Sequence, residues 1–283
     1  MFQYAFGKAL SINLKQEVYY CIDDLSSYAI ARRFELENVF DLNVPIANLR
    51  DISNVLGLWR RAPKIRRILA RLNNSLLAGP YFITERNFYP SNNLTPSSRG
   101  GAYFHGYWQS EDFFKPHEGV ILKSFQFREG ASNSNQEMMM RIQSGPSIAL
   151  HIRRGDYISK PKANAMHGVL DVEYYYAAIA SVRKRVSNAR LFVFTDDHDW
   201  ARAEMVSKLD NAECVNINNG SDSFRDMQLM SICEHNIVAN SSFSWWSAWL
   251  NPNPKKIVIA PQKWFSNQSH SDMSLIPASW ERM

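Results

Sequence analysis

The segment 148–157 carries the residues of this sequence that are best suited to chemistry. An apolar run at 148–152, interrupted only by His151, ends abruptly in two arginines, a glycine and an aspartate at 153–156. A run of this length predicts a buried strand. Because loops at the carboxyl ends of parallel strands form the ligand crevice of an open sheet, adjacent Arg153 and Arg154 predict an anion site. The alternative is a solvated charged turn, since paired arginines are common at protein surfaces.

A carboxylate pair follows the next predicted strand. Asp196 and Asp197 lie in the segment Thr-Asp-Asp-His at 195–198. They are suited to accept hydrogen bonds from a base or a ribose, or to bind a cation. The alternative is a helix cap beside a solvated acid.

The segment 240–246 combines serine hydroxyls with the predicted start of a helix. Backbone N–H groups at a helix N-terminus form a natural phosphate cradle, although the same serines also suit a simple cap. A further polar loop, 260–264, follows the last predicted strand. Since strand ends of one parallel sheet lie along one edge, we expect these loops to be neighbours.

Two adjacent arginines suit a diphosphate, because planar guanidinium groups make bidentate contacts and keep their charge. The sequence has no phosphate-loop motif, no Gly-x-Gly-x-x-Gly after a strand, and no serine in a Gly-x-Ser-x-Gly elbow. Only the Asp196-Asp197 pair favours a metal, and a lone acidic pair is a weak signal. We therefore predict phosphate binding by arginine and helix terminus, with no metal site.

Strand-like and helix-like segments alternate regularly through the second half of the chain. Such alternation predicts right-handed βαβ units and a Rossmann-like domain with a parallel sheet. The predicted strands are 148–152, 191–194, 214–217, 236–239 and 256–260, and the predicted helices are 171–186, 199–209, 223–233 and 242–250.

The first half is less regular, and we predict a domain boundary within 129–147, which gives domains 1–140 and 141–283. In the first domain we predict helices at 2–14, around 28–34, at 55–77 and at 115–128, strands at 17–22, 81–84 and 102–108, and a turn-rich loop at 87–101.

Length and composition indicate an ordinary globular protein of two domains. The chain has 283 residues, with 45% hydrophobic and 21% charged residues. Its net charge of +5, from 32 basic and 27 acidic groups, is too diffuse to indicate nucleic-acid binding. Three tryptophans, Trp245, Trp246 and Trp249, are predicted in the core, and His235 as a satisfied histidine.

The sequence has no apolar run long enough to span a membrane and no secretion signal, which predicts a cytoplasmic protein. The densest basic stretch runs from Arg60 to Arg71. It suits peripheral contact with the acidic inner membrane surface, or it is the solvated face of a basic helix. Cys21, Cys214 and Cys233 lack the spacing of a zinc site or redox pair.

Four segments together resemble the α-1,2-fucosyltransferases of glycosyltransferase family 11. They are Met-Phe-Gln-Tyr-Ala-Phe-Gly at 1–7, His-Ile-Arg-Arg-Gly-Asp-Tyr at 151–157, Asn-Ser-Ser-Phe-Ser-Trp-Trp-Ser-Ala at 240–248, and Ile-Ala-Pro-Gln-Lys-Trp at 259–264. The resemblance spans nearly the whole chain. It implies an α/β fold of two Rossmann-like domains of the GT-B type. GDP-β-L-fucose would be held mainly by the second domain, and the acceptor would bind in the cleft between the domains, with the first domain as the acceptor side.

The resemblance also implies inversion at the anomeric carbon and no required metal or other cofactor. It marks His151 and Arg153 as nucleotide and pyrophosphate contacts and Asp196 as a guanine or ribose contact. It assigns the phosphate-side loop to Ser242, Phe243 and Ser244. From the residues themselves we add the adjacent Arg154 and Ser241 to this predicted donor site.

The reaction that this resemblance implies is transfer of L-fucose to the 2-hydroxyl of a terminal β-galactoside. Arg153 would stabilise the leaving GDP. An inverting transfer needs a base at the acceptor hydroxyl, and Asp156 is the candidate. Alternatively, Asp156 holds Arg153 or Arg154 in place, and the departing phosphate takes the proton.

One segment departs from the family pattern. Family members carry Gly-Gly-Leu-Gly-Asn-Gln directly before Met-Phe-Gln-Tyr-Ala, whereas here Met1 begins the sequence. We therefore expect the first strand and its glycine loop to be missing, which favours a noncatalytic sugar- or nucleotide-binding relative as the second hypothesis. A nucleotide-dependent hydrolase is a third, without a metal or phosphate-loop signature.

Overall fold

A computed structural model describes residues 1–23, 25, 34–57, 82–85, 101–159, 161, 164–165, 168–266 and 274–283, with only the backbone at Asp156. The chain forms two compact units, Met1–Arg128 and Glu129–Met283. This division lies at the beginning of the predicted boundary region and earlier than the predicted limit at 140. Four predicted features lie wholly or mostly outside the described residues. They are the helix at 28–34, the helix at 55–77, the basic stretch from Arg60 to Arg71 and the loop at 87–101.

The first unit contains four described helices and one pair of parallel strands. The helices are α1 (Phe2–Leu14), α2 (Leu36–Val39), α3 (Leu49–Leu56) and α4 (Glu118–Ser124), and the strands are β1 (Phe82–Thr84) and β2 (Tyr103–His105). The bounds of α1 match the prediction. Its apolar face packs on Trp108, whose ring stacks on that of Phe6 with centroids 4.0 Å apart.

Two predicted elements of the first unit differ in the structure. The segment 17–22 forms a single bridge between Tyr20 and Ile46 instead of a strand. The Tyr20 hydroxyl donates to the carbonyl of Tyr4 at 2.9 Å. Tyr20 is therefore held by helix α1 as well as by its single bridge to Ile46. The helix predicted at 115–128 begins as a 3₁₀ turn and ends at Ser124, after which Phe127 pairs with Phe40.

The second unit is built on a six-stranded parallel sheet. Its strands are β3 (Ser147–Ile152), β4 (Arg190–Thr195), β5 (Ala212–Cys214), β6 (His235–Ile237), β7 (Val258–Ala260) and β8 (Glu281–Arg282). The order across the sheet is β5-β4-β3-β6-β7-β8, and every neighbouring pair is parallel. This is the strand order of the Rossmann fold, so the predicted α/β class and the Rossmann-like second domain are confirmed.

Helices cover both faces of this sheet. They are α5 (Asn133–Gln143), α6 (Gly155–Ser159), α7 (Val172–Arg185), α8 (His198–Glu204), α9 (Phe224–Ser231) and α10 (Ser242–Leu250). Alternate residues of β3 enter two different cores: Leu150 packs in the same cluster as Ile179 of α7, and Ala149 in the same cluster as Leu229 of α9. Burial on both faces explains why the strand is an unbroken apolar run.

The predicted interior residues lie where expected. Trp245, Trp246 and Trp249 are buried on α10, and the indole of Trp245 donates to the carbonyl of Leu275 at 2.8 Å. The Nδ1 atom of buried His235 accepts the N–H of Ile257 at 3.0 Å. Among the described residues, no helix is both long and apolar enough to cross a bilayer.

Candidate functional site

The two loops that flank the switch point of the sheet form the candidate site. From β3 the chain continues to β4 and β5 on one side, while β6, β7 and β8 lie on the other side. The crevice outside the carboxyl ends of β3 and β6 is therefore where an open sheet of this order binds ligands. The structure places the Arg153 loop on one side of it and the Ser241 loop on the other.

A buried hydrogen bond joins these two loops. The hydroxyl of Tyr157, on α6, donates to the carbonyl of Asn240 at 3.0 Å. The side-chain amide of Asn240 in turn donates to the carbonyls of Gly168 and Trp264, at 3.3 and 3.4 Å. Tyr157 was not predicted as a site residue, although it closes the arginine motif in the sequence.

His151 lies at the end of β3 and is almost completely buried. Its ring contacts that of Phe243, with centroids 5.7 Å apart, so it reaches towards the start of α10. Burial, and then the charge of Arg153, lowers the pKa of His151 to about 3. Its Nδ1 atom has no hydrogen-bond partner within the described part of the chain. His151 is thus a neutral ring suited to a hydrogen bond and not to proton transfer near pH 7.

Asp196 binds the loop after β3 through side chain and backbone together. Its Oδ2 atom lies 3.1 Å from Nη1 of Arg153, and its Oδ1 accepts the N–H of Arg154 at 2.8 Å. Partial burial raises the pKa of Asp196. The N–H groups of Arg154 and Gly155 and the charge of Arg153 lower it by more, so the net shift of the pKa is downward. Asp196 is therefore ionised at neutral pH.

Arg154 is held in a different way from its neighbour. Its Nε atom lies 3.4 Å from Oδ2 of Asp197, and its guanidinium lies 4.0 Å above the ring of Trp200. Asp197 also accepts the N–H of Trp200 at 3.3 Å, so it is the N-cap of α8. This agrees with the helix cap given as the alternative for the carboxylate pair. The side chain of Arg154 is 18% exposed, against 34% for Arg153.

The serines at the start of α10 divide into two kinds. Ser241 is the N-cap, and its Oγ accepts the N–H of Phe243 at 3.3 Å. Ser244 is fully buried, and its hydroxyl lies within hydrogen-bond distance of the carbonyls of Ala239 and Ser241. The predicted contact from Ser244 is therefore restricted to its backbone N–H. First-turn N–H groups have no intrahelical partner, and Ser242 is exposed beside them.

The Asp156 backbone belongs to α6, beside Arg153, and its side chain lies outside the described part of the structure. Its role as a base stays a prediction. Within the described residues, no group of three or more His, Cys, Asp or Glu side chains is placed to hold a metal ion.

The fold and the site define a class: a Rossmann-type domain whose switch point carries an anchored arginine opposite a helix N-terminus. Comparison with known proteins narrows this class. The chain belongs to glycosyl transferase family 11, whose profile matches residues 11–282. The family predicted from the sequence is confirmed, and the protein is a glycosyltransferase.

Three relatives illustrate the family. The O-antigen biosynthesis glycosyltransferase WbnK of Escherichia coli is 33% identical, with 97% of this chain and 94% of the relative covered. An alpha-1,2-colitosyltransferase of Escherichia coli is 29% identical, with coverage of 100% and 94%. Galactoside 2-alpha-L-fucosyltransferase Sec1 of Mus musculus is 30% identical over 52% of this chain and 41% of its own length.

Among solved structures, fucosyltransferase NodZ from Bradyrhizobium is similar over 89% of this chain and 88% of its own, with a TM-score of 0.49 and 13% identity.

Proposed function

We propose that the protein transfers L-fucose from GDP-β-L-fucose to the 2-hydroxyl of a terminal β-galactoside, and forms an α-1,2-fucosyl linkage with inversion. The observation that carries this proposal is the guanidinium of Arg153, held by Asp196 at the switch point of a Rossmann sheet. Family membership limits the reaction to glycosyl transfer. The names of the colitosyl- and fucosyltransferase relatives favour a 6-deoxy-L-sugar and transfer to a 2-hydroxyl.

The chemistry that this site suits is stabilisation of a leaving diphosphate. As the bond from the anomeric carbon to the β-phosphate oxygen breaks, its electron pair stays on GDP and negative charge develops there. Arg153 and the first-turn N–H groups of α10 provide positive charge and hydrogen-bond donors for that oxygen. In this proposal these groups act without a metal or another cofactor.

The other predicted contacts follow from the same arrangement. The neutral ring of His151 offers a hydrogen bond to the nucleotide. Arg154, the next residue after Arg153, adds a second positive charge to the loop that follows β3. Ser241, Ser242, Phe243 and Ser244 form the phosphate-side turn. The N–H groups of Ser242 and Ser244 are its proposed donors, because the N–H of Ser241 donates to the carbonyl of Ala239 and that of Phe243 donates to Oγ of Ser241. These assignments extend the GT-B arrangement in which the second unit holds the donor and the first holds the acceptor.

The acceptor side of the reaction requires a proton to leave the 2-hydroxyl as its oxygen attacks the anomeric carbon. Asp156 is the proposed base, because its backbone lies within the turn that follows Arg153. The alternative is that the departing phosphate accepts the proton, since an oxocarbenium-like transition state requires only a weak base.

A transfer assay with GDP-fucose and a panel of β-galactosides that includes lactose tests the function. GDP-colitose is the second donor, because one relative is named for that sugar. We expect a fucosylated product whose new bond is α-1,2 by NMR. GDP binding by calorimetry without product from any acceptor would instead support the noncatalytic relative.

Arg153→Ala should abolish transfer and leave the fold intact, because the leaving-group charge loses its anchored partner. Removing one such donor typically lowers kcat about 100-fold or more. Arg202→Ala is the matched control: it removes the same charge from an exposed arginine on α8. If Arg153→Ala turns over GDP-fucose as fast as the wild type and has the same circular dichroism, Arg153 does not stabilise the leaving group.

We also propose that the protein is cytoplasmic and makes peripheral contact with the inner membrane surface. The proposed membrane contact depends on the basic residues from Arg60 to Arg71 in the sequence. Sedimentation with anionic vesicles, compared with neutral ones, measures this contact.

A further inference from the structure

The carboxylate of Asp196 is already occupied by the protein itself. One oxygen accepts the N–H of Arg154 at 2.8 Å, and the other lies 3.1 Å from Nη1 of Arg153. The N–H of Gly155 also favours the ionised carboxylate, since it lowers the pKa of Asp196. An ionised carboxylate has about four lone-pair sites. Two direct contacts and this third N–H, all from one loop, leave it poorly suited to bind a ribose or a guanine as well.

Gly155 allows this close approach. A Cβ atom at position 155 would lie 2.9 Å from Oδ2 of Asp196 and 3.3 Å from the backbone carbonyl oxygen of the same residue. Real Cβ atoms are essentially never found within 3.0 Å of a heavy atom from a residue elsewhere in the fold. Glycine is therefore required for the loops after β3 and β4 to meet in this way.

The neighbouring pair provides an internal comparison. Arg154 and Asp197 also form an ion pair. Both residues, however, contact the first turn of α8, because Asp197 caps this helix and Arg154 lies over the ring of Trp200. That pair therefore stabilises the start of α8. Arg153 is the more exposed of the two arginines, and its pair with Asp196 borders the switch point.

We propose that Asp196 is the positioning residue for Arg153 and does not contact the nucleoside of the donor. It sets the direction of the guanidinium before a diphosphate arrives. Less side-chain freedom is then lost when the diphosphate binds, and the charge lies where the leaving group needs it. This inference rests on the proposed function for the part that concerns catalysis, but the coupling to GDP binding can be measured without any transfer.

The Asp196→Asn variant tests the proposal. Its affinities for guanosine and for GDP are measured by titration, and its kcat by the transfer assay, and each is compared with the wild-type value. The amide replaces the carboxylate at nearly equal size and removes its charge. We expect unchanged affinity for guanosine, weaker affinity for GDP and a kcat lowered about 100-fold. Asp199→Asn is the control, because this fully exposed carboxylate lies three residues away on α8 and its loss changes the net charge equally.

A guanosine affinity that falls as much as the GDP affinity would overturn the proposal, since it would place Asp196 against the nucleoside. Retained guanosine binding also shows that the variant is folded. Asp196→Ala should give the same pattern as Asp196→Asn, because both variants release Arg153.

A double-mutant cycle shows whether Asp196 acts through Arg153. In the Arg153→Ala background, Asp196→Asn should produce no further loss of GDP affinity, whereas additive losses would contradict the proposal. If the wild type binds GDP with this coupling but transfers no sugar, the proposed function fails and the positioning role stands. If the wild type binds no GDP, both are overturned.

Discussion

Arg153 and Arg154 are adjacent in the sequence but have different surroundings in the fold. Arg153 is paired with Asp196, whereas the guanidinium carbon of Arg154 lies over the ring of Trp200, 4.0 Å from its centroid, so this ring covers the group on one side. A planar guanidinium suits both stacking and bidentate binding. Residue type alone therefore predicts that an anion site is present, but it does not show which arginine faces the ligand. That distinction depends on Trp200, a residue from the helix after β4.

Gly155→Ala should weaken GDP binding and transfer together. The new methyl group would lie 2.9 Å from Oδ2 of Asp196, so the carboxylate must move away from Arg153. We expect a loss of about 10-fold or more in GDP affinity, comparable with a displaced binding group. Calorimetry with GDP measures it.

Gly119→Ala is the matched control, because a Cβ at this position of α4 has nothing within 4 Å. An alanine there should be neutral or raise the free energy of unfolding by up to about 1 kcal/mol. GDP affinity in Gly155→Ala equal to that of Gly119→Ala would show that the close approach to Asp196 is unimportant.

At the scale of elements, buried parallel strands and capped helices could be predicted from the sequence. Helix α10 has the predicted bounds, Ser242–Leu250, because a serine N-cap precedes an apolar segment that is buried on nearly every side. The match extends to β3, where burial on both faces requires an apolar run.

For two of the elements of the second unit that were not predicted, α5 and β8, the physical reason is clear. The buried apolar residues of α5 are only Met138 and Ile142, one turn apart, and the rest of the helix is largely polar. So short a stripe gives little periodicity to detect. Both residues of β8 are exposed, and the strand is defined by backbone pairing with β7. Such an edge strand leaves almost no side-chain signal.

Helices α5 and α9 are joined by a polar network that the sequence did not indicate. Asn135 and Asn218 exchange two side-chain hydrogen bonds, of 2.7 and 3.0 Å, and Asn218 donates to Asp226 at 2.8 Å. Burial raises the pKa of Asp226 to about 6, although the hydrogen bond from Asn218 partly opposes this shift. Compared with the unfolded chain, the folded protein therefore holds the proton of Asp226 to a higher pH.

Asp226→Asn should stabilise the protein at neutral pH. Asp226 has a higher pKa folded than unfolded, so stability falls as pH rises from about 4 to about 6 and stays lower above that. An amide keeps an oxygen acceptor for Asn218 and has no charge to bury. We expect a gain on the order of 2 kcal/mol in the free energy of unfolding at pH 8, and none at pH 4.

Urea unfolding across this pH range measures the effect. Asp222→Asn, at an exposed carboxylate just before α9, controls for the change in net charge. A lower free energy of unfolding in Asp226→Asn at pH 8 would mean that the ionised carboxylate has a stabilising partner in the folded protein.

At the scale of the whole molecule, every described residue of the candidate donor site belongs to the second unit, Glu129–Met283. Both of its large apolar clusters are also formed by residues of that unit alone, on the two faces of the six-stranded sheet. The motifs indicated this candidate site because they lie at strand ends. No acceptor-binding residue of the first unit could be predicted, since its pattern of elements is irregular.

A fragment of residues 129–283 should therefore fold alone and bind GDP, but transfer no sugar. Its sheet has both faces covered by its own helices, and a domain of this size buries enough apolar surface to be stable. Its GDP affinity should lie within about threefold of that of the full chain, a free-energy difference below about 1 kcal/mol. Circular dichroism, GDP calorimetry and the transfer assay measure the three properties. A folded fragment that does not bind GDP would show that the first unit contributes to the donor site, whereas transfer by the fragment would remove the acceptor role from that unit.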